Sequence, residues 1–278
     1  SAASLGARAA CLALDAAGLT IADVDCIVAA SATMDQGMPC NAALIYREFG
    51  ETDRAVPAFD VNASCLGFLV ALETLSWPIA AGRYERVLVV AADIASCALN
   101  WDDLGASAIF GDGAAAAVLG RRPDSRILHA EMRTYAQGAH LCEIPAGGSR
   151  FHPSRMDEPL EPFITFRMNG KGVFKLASAH LPEFLSDVLG GAGVTLDDID
   201  WVVPHQASRL ALDHACARLG FRDGCVIDVF SELGNQVAAS LPTALDCAVR
   251  DGRIRRGDTL LLLGTGAGLT LGGMVLQY

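Results

Sequence analysis

The chain repeats itself. Residues 17–28 read AGLTIADVDCIV and residues 192–203 read AGVTLDDIDWVV, with six of twelve positions identical and most others exchanging one apolar residue for another. Each copy follows an amphipathic helix-like stretch and runs into an apolar strand, DCIVAAS in one and DWVVPHQ in the other. The echo continues, because AFDVNASCLGF is answered by VIDVFSELGNQ. Each of these leads into an apolar helix and then paired strands, RVLVVAADI with AAAAVLG and DTLLLLGTG with TLGGMVLQY. Strands alternating with helices favour α/β layers with largely parallel central strands. A duplicated order of elements favours two like halves about a pseudo-twofold axis. The halves are expected at 1–120 and 165–278. Residues 121–164, rich in Pro, Gly and charge, are expected as a connecting strand plus a cap-like surface excursion.

Composition narrows the function. With 278 residues, 52% of them hydrophobic, the chain has material for a large core. Its apolar runs fall short of the roughly 18–20 uncharged residues a membrane span needs, so a soluble cytoplasmic protein without a membrane role is expected. A formal net charge of −11 disfavours nucleic acid as a partner. The nine cysteines form no CxxC pair, which disfavours a metal site and suits a reducing compartment.

One cysteine is differently placed. Cys65, in FDVNASCLGF, stands where a buried strand meets a buried helix. A helix start offers unpaired N–H groups and the positive end of its dipole, which favours thiolate. The small neighbours Ala63, Ser64 and Gly67 leave room for a substrate. Two readings stand side by side: a nucleophile for covalent catalysis, or a buried cysteine in a tight turn. Of the six histidines, only His205, in WVVPHQAS, directly follows a buried strand, and strand carboxyl ends are where α/β sheets present ligand sites. Asn235, in ELGNQVAAS, occupies the joint that the repeat pairs with the cysteine joint. Its plainer role would be a helix N-cap. In a pseudo-twofold packing Cys65, His205 and Asn235 would converge. The glycine-rich LLGTGAGLTLGG runs from strand to strand, with neither a following helix nor a GK[ST]. It therefore reads as close-packed backbone that aims N–H groups at an oxyanion rather than as a phosphate loop. FGDGAAAAV reads as ordinary Asp-Gly turn chemistry between strands.

Taken in order, ASCLGF, FGDGAAA, MNGKGVFKLA, VVPHQAS, GNQVAAS, ALDCAVRDGRIRRGD and GTGAGLT resemble, over essentially the whole chain, the thiolase-fold condensing enzymes. Among these they look most like β-ketoacyl-acyl-carrier-protein synthase III. The resemblance implies a layered αβαβα thiolase-like fold and an acyltransferase acting in fatty-acid or related lipid metabolism. Cys65 would take an acyl group from acyl-CoA. His205 and Asn235 would assist decarboxylation of a malonyl thioester borne by acyl carrier protein, and Claisen condensation would give a 3-oxoacyl product. The backbone N–H groups of Cys65 and Ala267 would form the oxyanion hole. No cofactor or metal is implied, CoA thioester being a substrate, and a homodimer is. Basic residues facing the acidic carrier protein would be Lys175, Arg209 and Arg218, with Lys171 and Arg150 as weaker candidates.

The sequence also departs from the family pattern. GTGAG replaces a triple glycine, Thr265 replaces a phenylalanine near the cysteine, and Met38 stands where a gating aromatic reaches the partner's acyl pocket. Arg209 lies one place earlier than the usual arginine. These departures suggest an unusual primer or secondary metabolism. The family's first central strand and the CoA-gripping residues after it are not found before Ser1, so the chain is expected to be a fragment or to be completed by another chain. Two rival functions remain open on the sequence: acyl transfer from Cys65 to an alcohol or amine without decarboxylation, and a non-catalytic partner subunit of a condensing heterodimer. A cysteine-protease reading fails on the duplicated layout and on the motif order.

Overall fold

A computed structural model describes residues 1–50, 54–155 and 157–278. The repeat is visible first in its caps. Gly18 and Gly193 each end a helix in the left-handed conformation, at φ 66° and 69°. Each is followed by a capping box, in which the Thr20 backbone N–H and hydroxyl both donate to Asp23, as those of Thr195 do to Asp198. The next strand is then pinned in the same way in both copies: Arg86 N–H donates to Asp25 Oδ2 at 3.0 Å, and Thr259 N–H to Asp200 Oδ2 at 2.8 Å. Identical residues in the two copies thus make identical hydrogen bonds.

The first part of the chain runs α1 (Ala2–Ala17), β1 (Cys26–Ala29), α2 (Asn41–Arg47), β2 (Ala58–Asp60), α3 (Gly67–Ala80), β3 (Arg86–Asp93), α4 (Leu104–Ser107) and β4 (Gly113–Gly120). Then follow β5 (Arg126–Thr134), β6 (Cys142–Glu143), α5 (Glu161–Ile164) and β7 (Arg167–Met168). The last part runs α6 (Gly170–Ala192), β8 (Trp201–Pro204), α7 (Arg209–Leu219), α8 (Phe230–Leu233), α9 (Ser240–Arg250), β9 (Thr259–Gly266) and β10 (Thr270–Gln277). Two four-stranded sheets result, in the orders β2-β1-β3-β4 and β5-β10-β9-β8. β1 is parallel to β2 and β3, β8 is parallel to β9, and the β3–β4 and β9–β10 pairs are antiparallel. β5, expected as a connecting strand, joins the second sheet beside β10, whereas β4, the counterpart of β10, is an edge strand.

Side-chain alternation along the strands builds the layers, since successive residues face opposite sides. Val87, Val89 and Ala91 of β3 and Leu260 and Leu262 of β9 point to one central cluster, filled by Phe68, Leu69 and Leu75 of α3 and Leu241 and Ala244 of α9. The intervening Leu88 and Val90 face Ala3, Ala10 and Leu14 of α1. Leu261 and Leu263 face Phe184, Leu185 and Val188 of α6, with Leu219 of α7 in the same cluster. The order helix, sheet, helix, sheet, helix follows, with α3 and α9 between the sheets. Full burial of a side chain such as Phe68 or Phe184 stabilises this arrangement by about 1.5–3 kcal/mol. No helix among the described residues is long and apolar enough to cross a membrane.

Candidate active site

The two central helices begin at matched joints. Asn62 Oδ1 accepts the Ser64 N–H at 2.9 Å, and Asn235 Oδ1 accepts the Val237 N–H at 2.9 Å. In each, the second residue after the asparagine has positive φ, 52° at Ser64 and 55° at Val237. This backbone is sterically costly for non-glycine residues and persists where the surroundings impose it. Here it turns the chain sharply from strand into helix. The register of the match is finer than the sequence suggested: Asn235 corresponds to Asn62, and Cys65 to Ala238.

His205 extends β8, its N–H donating to Leu263 O at 2.8 Å. It is 5% exposed, and its Nδ1 is buried with no hydrogen-bond partner. Burial pushes its pKa down to about 4, so the ring is neutral at pH 7. Gly264 fits between His205 and the cysteine joint, where a Cβ would stand 2.9 Å from His205 Cβ and 3.0 Å from Leu66 Cδ2. Asn235 reaches the histidine segment directly, Nδ2 donating to Ala207 O at 3.3 Å. Its backbone is clamped by the first half: Asn235 N–H donates to Ile109 O at 2.7 Å and Gly111 N–H to Asn235 O at 3.0 Å. The segments carrying Cys65, His205 and Asn235 therefore meet at the carboxyl ends of the two sheets.

The clamp corrects the turn reading of FGDG. That stretch is no hairpin turn between β3 and β4, because residues 94–112 and α4 separate the two strands. Gly111 is required by close approach, as a Cβ there would lie 2.2 Å from Leu233 O. Asp112 accepts from Ser96 N–H and Oγ at 2.9 and 2.6 Å, which braces the stretch.

The thiolate expected at the joint is also corrected. Cys65 keeps some exposure, but its thiol lies deep enough that burial, with the Asp93 carboxylate as a second cause, pushes its pKa up to about 12. The backbone N–H groups of Cys65 and Ala267 act on the sulfur and pull the other way without prevailing. Desolvation outweighs the helix start, so the resting residue is a thiol. Ala267 follows the last residue of β9, and its backbone N–H is one of the groups that lower the Cys65 pKa. Cys142, in the excursion between β5 and α6, is near enough to raise the Cys65 pKa further. From the same excursion Phe166 packs edge-on against Phe110, at 5.1 Å between ring centroids, and Phe110 is bridged to Asn235.

The remaining candidates lie apart from this cluster or partly so. Thr265 is half-buried on β9, opposite Leu271 of β10. Met38 is 84% exposed, so within one chain it does not enter a buried pocket. Arg209 is not a free cation: it pairs with Asp228 through two nitrogens, at 2.5 and 3.1 Å, and with Asp213 at 3.5 Å. Lys175 on α6 and Arg218 on α7 are exposed, as are Lys171 and Arg150. Their two helices touch, Phe174 meeting His214 at 4.6 Å between ring centroids. No group of three His, Cys, Asp or Glu side chains suited to a metal ion occurs among the described residues.

Sequence reasoning passed over Asp93. It is fully buried, and its carboxylate accepts from Ala32 N–H (2.9 Å), Thr33 N–H (2.7 Å), Thr33 Oγ1 (3.1 Å) and Ala238 N–H (3.0 Å). The available signal was a single charge closing the apolar run RVLVVAAD.

Comparison with known proteins shows the family and the fold. The family model for 3-oxoacyl-[acyl-carrier-protein] synthase III matches residues 59–136, and the model for its C-terminal part matches residues 189–278. The chain is 38% identical over 274 residues to a β-ketoacyl-[acyl-carrier-protein] synthase III of Neisseria meningitidis, covering 99% of this chain and 83% of that protein. It is 39% identical over 277 residues to one from Rhizorhabdus wittichii, with the same coverage of 99% and 83%. The crystal structure of 3-oxoacyl-[acyl-carrier-protein] synthase III from Aquifex aeolicus superposes with a TM-score of 0.87 at 32% identity, covering 98% of this chain and 83% of that one. The priming β-ketosynthase of the R1128 polyketide pathway does so with a TM-score of 0.87 at 29% identity, covering 99% and 81%.

Proposed function

Because this chain belongs to the β-ketoacyl-[acyl-carrier-protein] synthase III family, we propose that it is a condensing acyltransferase that joins an acyl group to a malonyl thioester and releases CO₂. The observation that supports the residue assignment is the packing of the three segments: the Gly264 position lies against both His205 Cβ and Leu66, the residue after Cys65, and Asn235 Nδ2 donates to Ala207 O two residues past His205.

In the first half-reaction the Cys65 sulfur attacks the thioester carbon of acyl-CoA. The oxygen of the tetrahedral intermediate lies against the two N–H groups, the C–S bond to CoA breaks, and CoA leaves as a thiol with the proton that Cys65 gives up. Neutral His205 can relay that proton. In the second half-reaction the malonyl thioester loses CO₂, and the bonding electrons move onto its thioester oxygen as an enolate. His205 and the Asn235 amide stabilise this enolate by hydrogen bonds. The unpartnered Nδ1 of His205 supports the tautomer with its proton on Nε2, because a buried lone pair without a donor costs less than a buried N–H without an acceptor. The enolate carbon then attacks the acyl-Cys65 carbonyl, and collapse expels the sulfur, which takes up a proton. One such oxyanion donor is typically worth 10²–10³ in rate.

Acyl-CoA is the proposed donor and malonyl-acyl carrier protein the proposed extender. Lys175 and Arg218 are the proposed contacts for the acidic carrier, Arg209 being neutralised internally. Met38 is proposed to act across a homodimer interface, which its exposure suits. The test is intact mass after incubation with a panel of acyl-CoAs, together with CO₂ release from a malonyl thioester. A Cys65-dependent adduct with CO₂ release supports condensation. An adduct without CO₂ release turns the reading to simple acyl transfer, and no adduct with any donor overturns it.

A further inference from the structure

The pseudo-symmetry gives the oxyanion site a counterpart. Cys65 matches Ala238 at the two helix joints. β3 and β9 are matched eight-residue strands that end at Asp93 and Gly266, so Ile94 matches Ala267. In one half the N–H groups of Cys65 and Ala267 face the reacting sulfur. In the other half the matched N–H groups are already occupied: Ala238 N–H donates to Asp93 Oδ2 at 3.0 Å, and Ile94 N–H donates to Thr33 Oγ1 at 3.0 Å. A built-in anion thus sits where the counterpart site would receive a transient one.

Its four hydrogen bonds divide unequally. Three anchor the carboxylate to residues 32–33 of the first half, and the fourth alone crosses to the turn that carries Asn235. On its near side that turn is held by the backbone pairs of Asn235 with Ile109 and Gly111. We propose that Asp93 is a positioning residue for the second half-reaction, a resident anion in the unused counterpart of the oxyanion hole that sets where Asn235 stands. The inference rests on reading Cys65, His205 and Asn235 as the catalytic group. The hydrogen bonds oppose a desolvation that pushes the carboxyl up to about 6, which leaves the anion in place at pH 7.

Asp93→Asn separates this role from general support. Three donors claim Oδ1, so the amide must turn its NH₂ toward Ala238, donor against donor, and the turn must shift. A displacement near 1 Å typically costs about 10²-fold in rate. The same change removes the negative charge that holds the Cys65 pKa up. The expected result is a split: decarboxylation of malonyl-CoA falls about 10²-fold, while alkylation of Cys65 by iodoacetamide is unchanged or up to about threefold faster. Decarboxylation within threefold of wild type, or an equal loss of both rates, overturns the inference. A wild-type enzyme that does not decarboxylate malonyl thioesters at all overturns the catalytic reading and this inference with it, and is recognised without the variant. Should Asp93→Asn not be recovered folded, Thr33→Val, which removes one donor to the carboxylate, must give the same split at roughly tenfold; without it the inference fails.

Discussion

Gly67 is the first residue of α3 and sits two positions after the nucleophile. A Cβ there would lie 2.4 Å from Ala30 O and 3.1 Å from Ala30 C. Both are backbone atoms at the end of β1, so no side chain can swing away. Restoring ordinary contact at about 3.4 Å requires roughly 1 Å of movement between the cysteine joint and the sheet end. Overpacking of this kind costs about 1–3 kcal/mol, and alanine's better helix propensity returns up to about 1 kcal/mol. Gly67→Ala should therefore lower Tm by only a few degrees. Catalysis responds more steeply, because the shift is applied to the Cys65 sulfur relative to the Ala267 N–H and His205. Acyl-enzyme formation should fall about 10²-fold. The assay is stopped-flow quench with intact mass, using an acyl-CoA that primes the wild type, beside a thermal melt. Acylation within threefold of wild type would refute the claim that this contact places the nucleophile. A melt lowered by more than 15 °C would refute the claim that the damage is local.

Other outcomes follow from the same site. Cys65 is a thiol with a pKa near 12, so its alkylation rate should rise about tenfold per pH unit from pH 7 to 9; a plateau below pH 8 would reveal a thiolate paired with His205 instead. Asn235→Ala should leave acyl-Cys65 formation intact and cut decarboxylation on the order of 10², read by mass and labelled CO₂. The unfolded chain takes up a proton on His205 near pH 6.5, and the folded chain only near 4. This term removes stability as pH falls through that window, by about 3 kcal/mol. His205→Asn should accordingly gain about 3 kcal/mol relative to wild type between pH 7 and pH 4 in urea titrations; parallel pH curves would refute the buried neutral histidine. Charge reversal at Lys175 and Arg218 should raise KM for malonyl-acyl carrier protein, with less effect in high salt and none on malonyl-CoA.

Much of this molecule was legible in one dimension because its information is local and duplicated. AGLTIADVDCIV and AGVTLDDIDWVV specify a left-handed glycine cap, a capping box and a strand start through contacts a few residues long, so the sequence alone identifies them as copies. Strand-to-helix joints and apolar alternation are legible for the same reason, and they led to Cys65, His205 and Asn235. Only the tertiary structure decided what depends on distant segments meeting. The ionisation of Cys65 was misjudged from the helix start because desolvation is a property of everything packed around a thiol. Arg209 looked free until Asp228, nineteen positions on, was folded against it. Gly111 looked like turn chemistry until the Leu233 carbonyl was found at its back. Asp93 was one acidic letter at a strand end, and its bond to Ala238 spans 145 positions. Hydrogen bonds within a turn are written in neighbouring letters, whereas a buried charge takes its meaning from partners that only the packed layers bring to it.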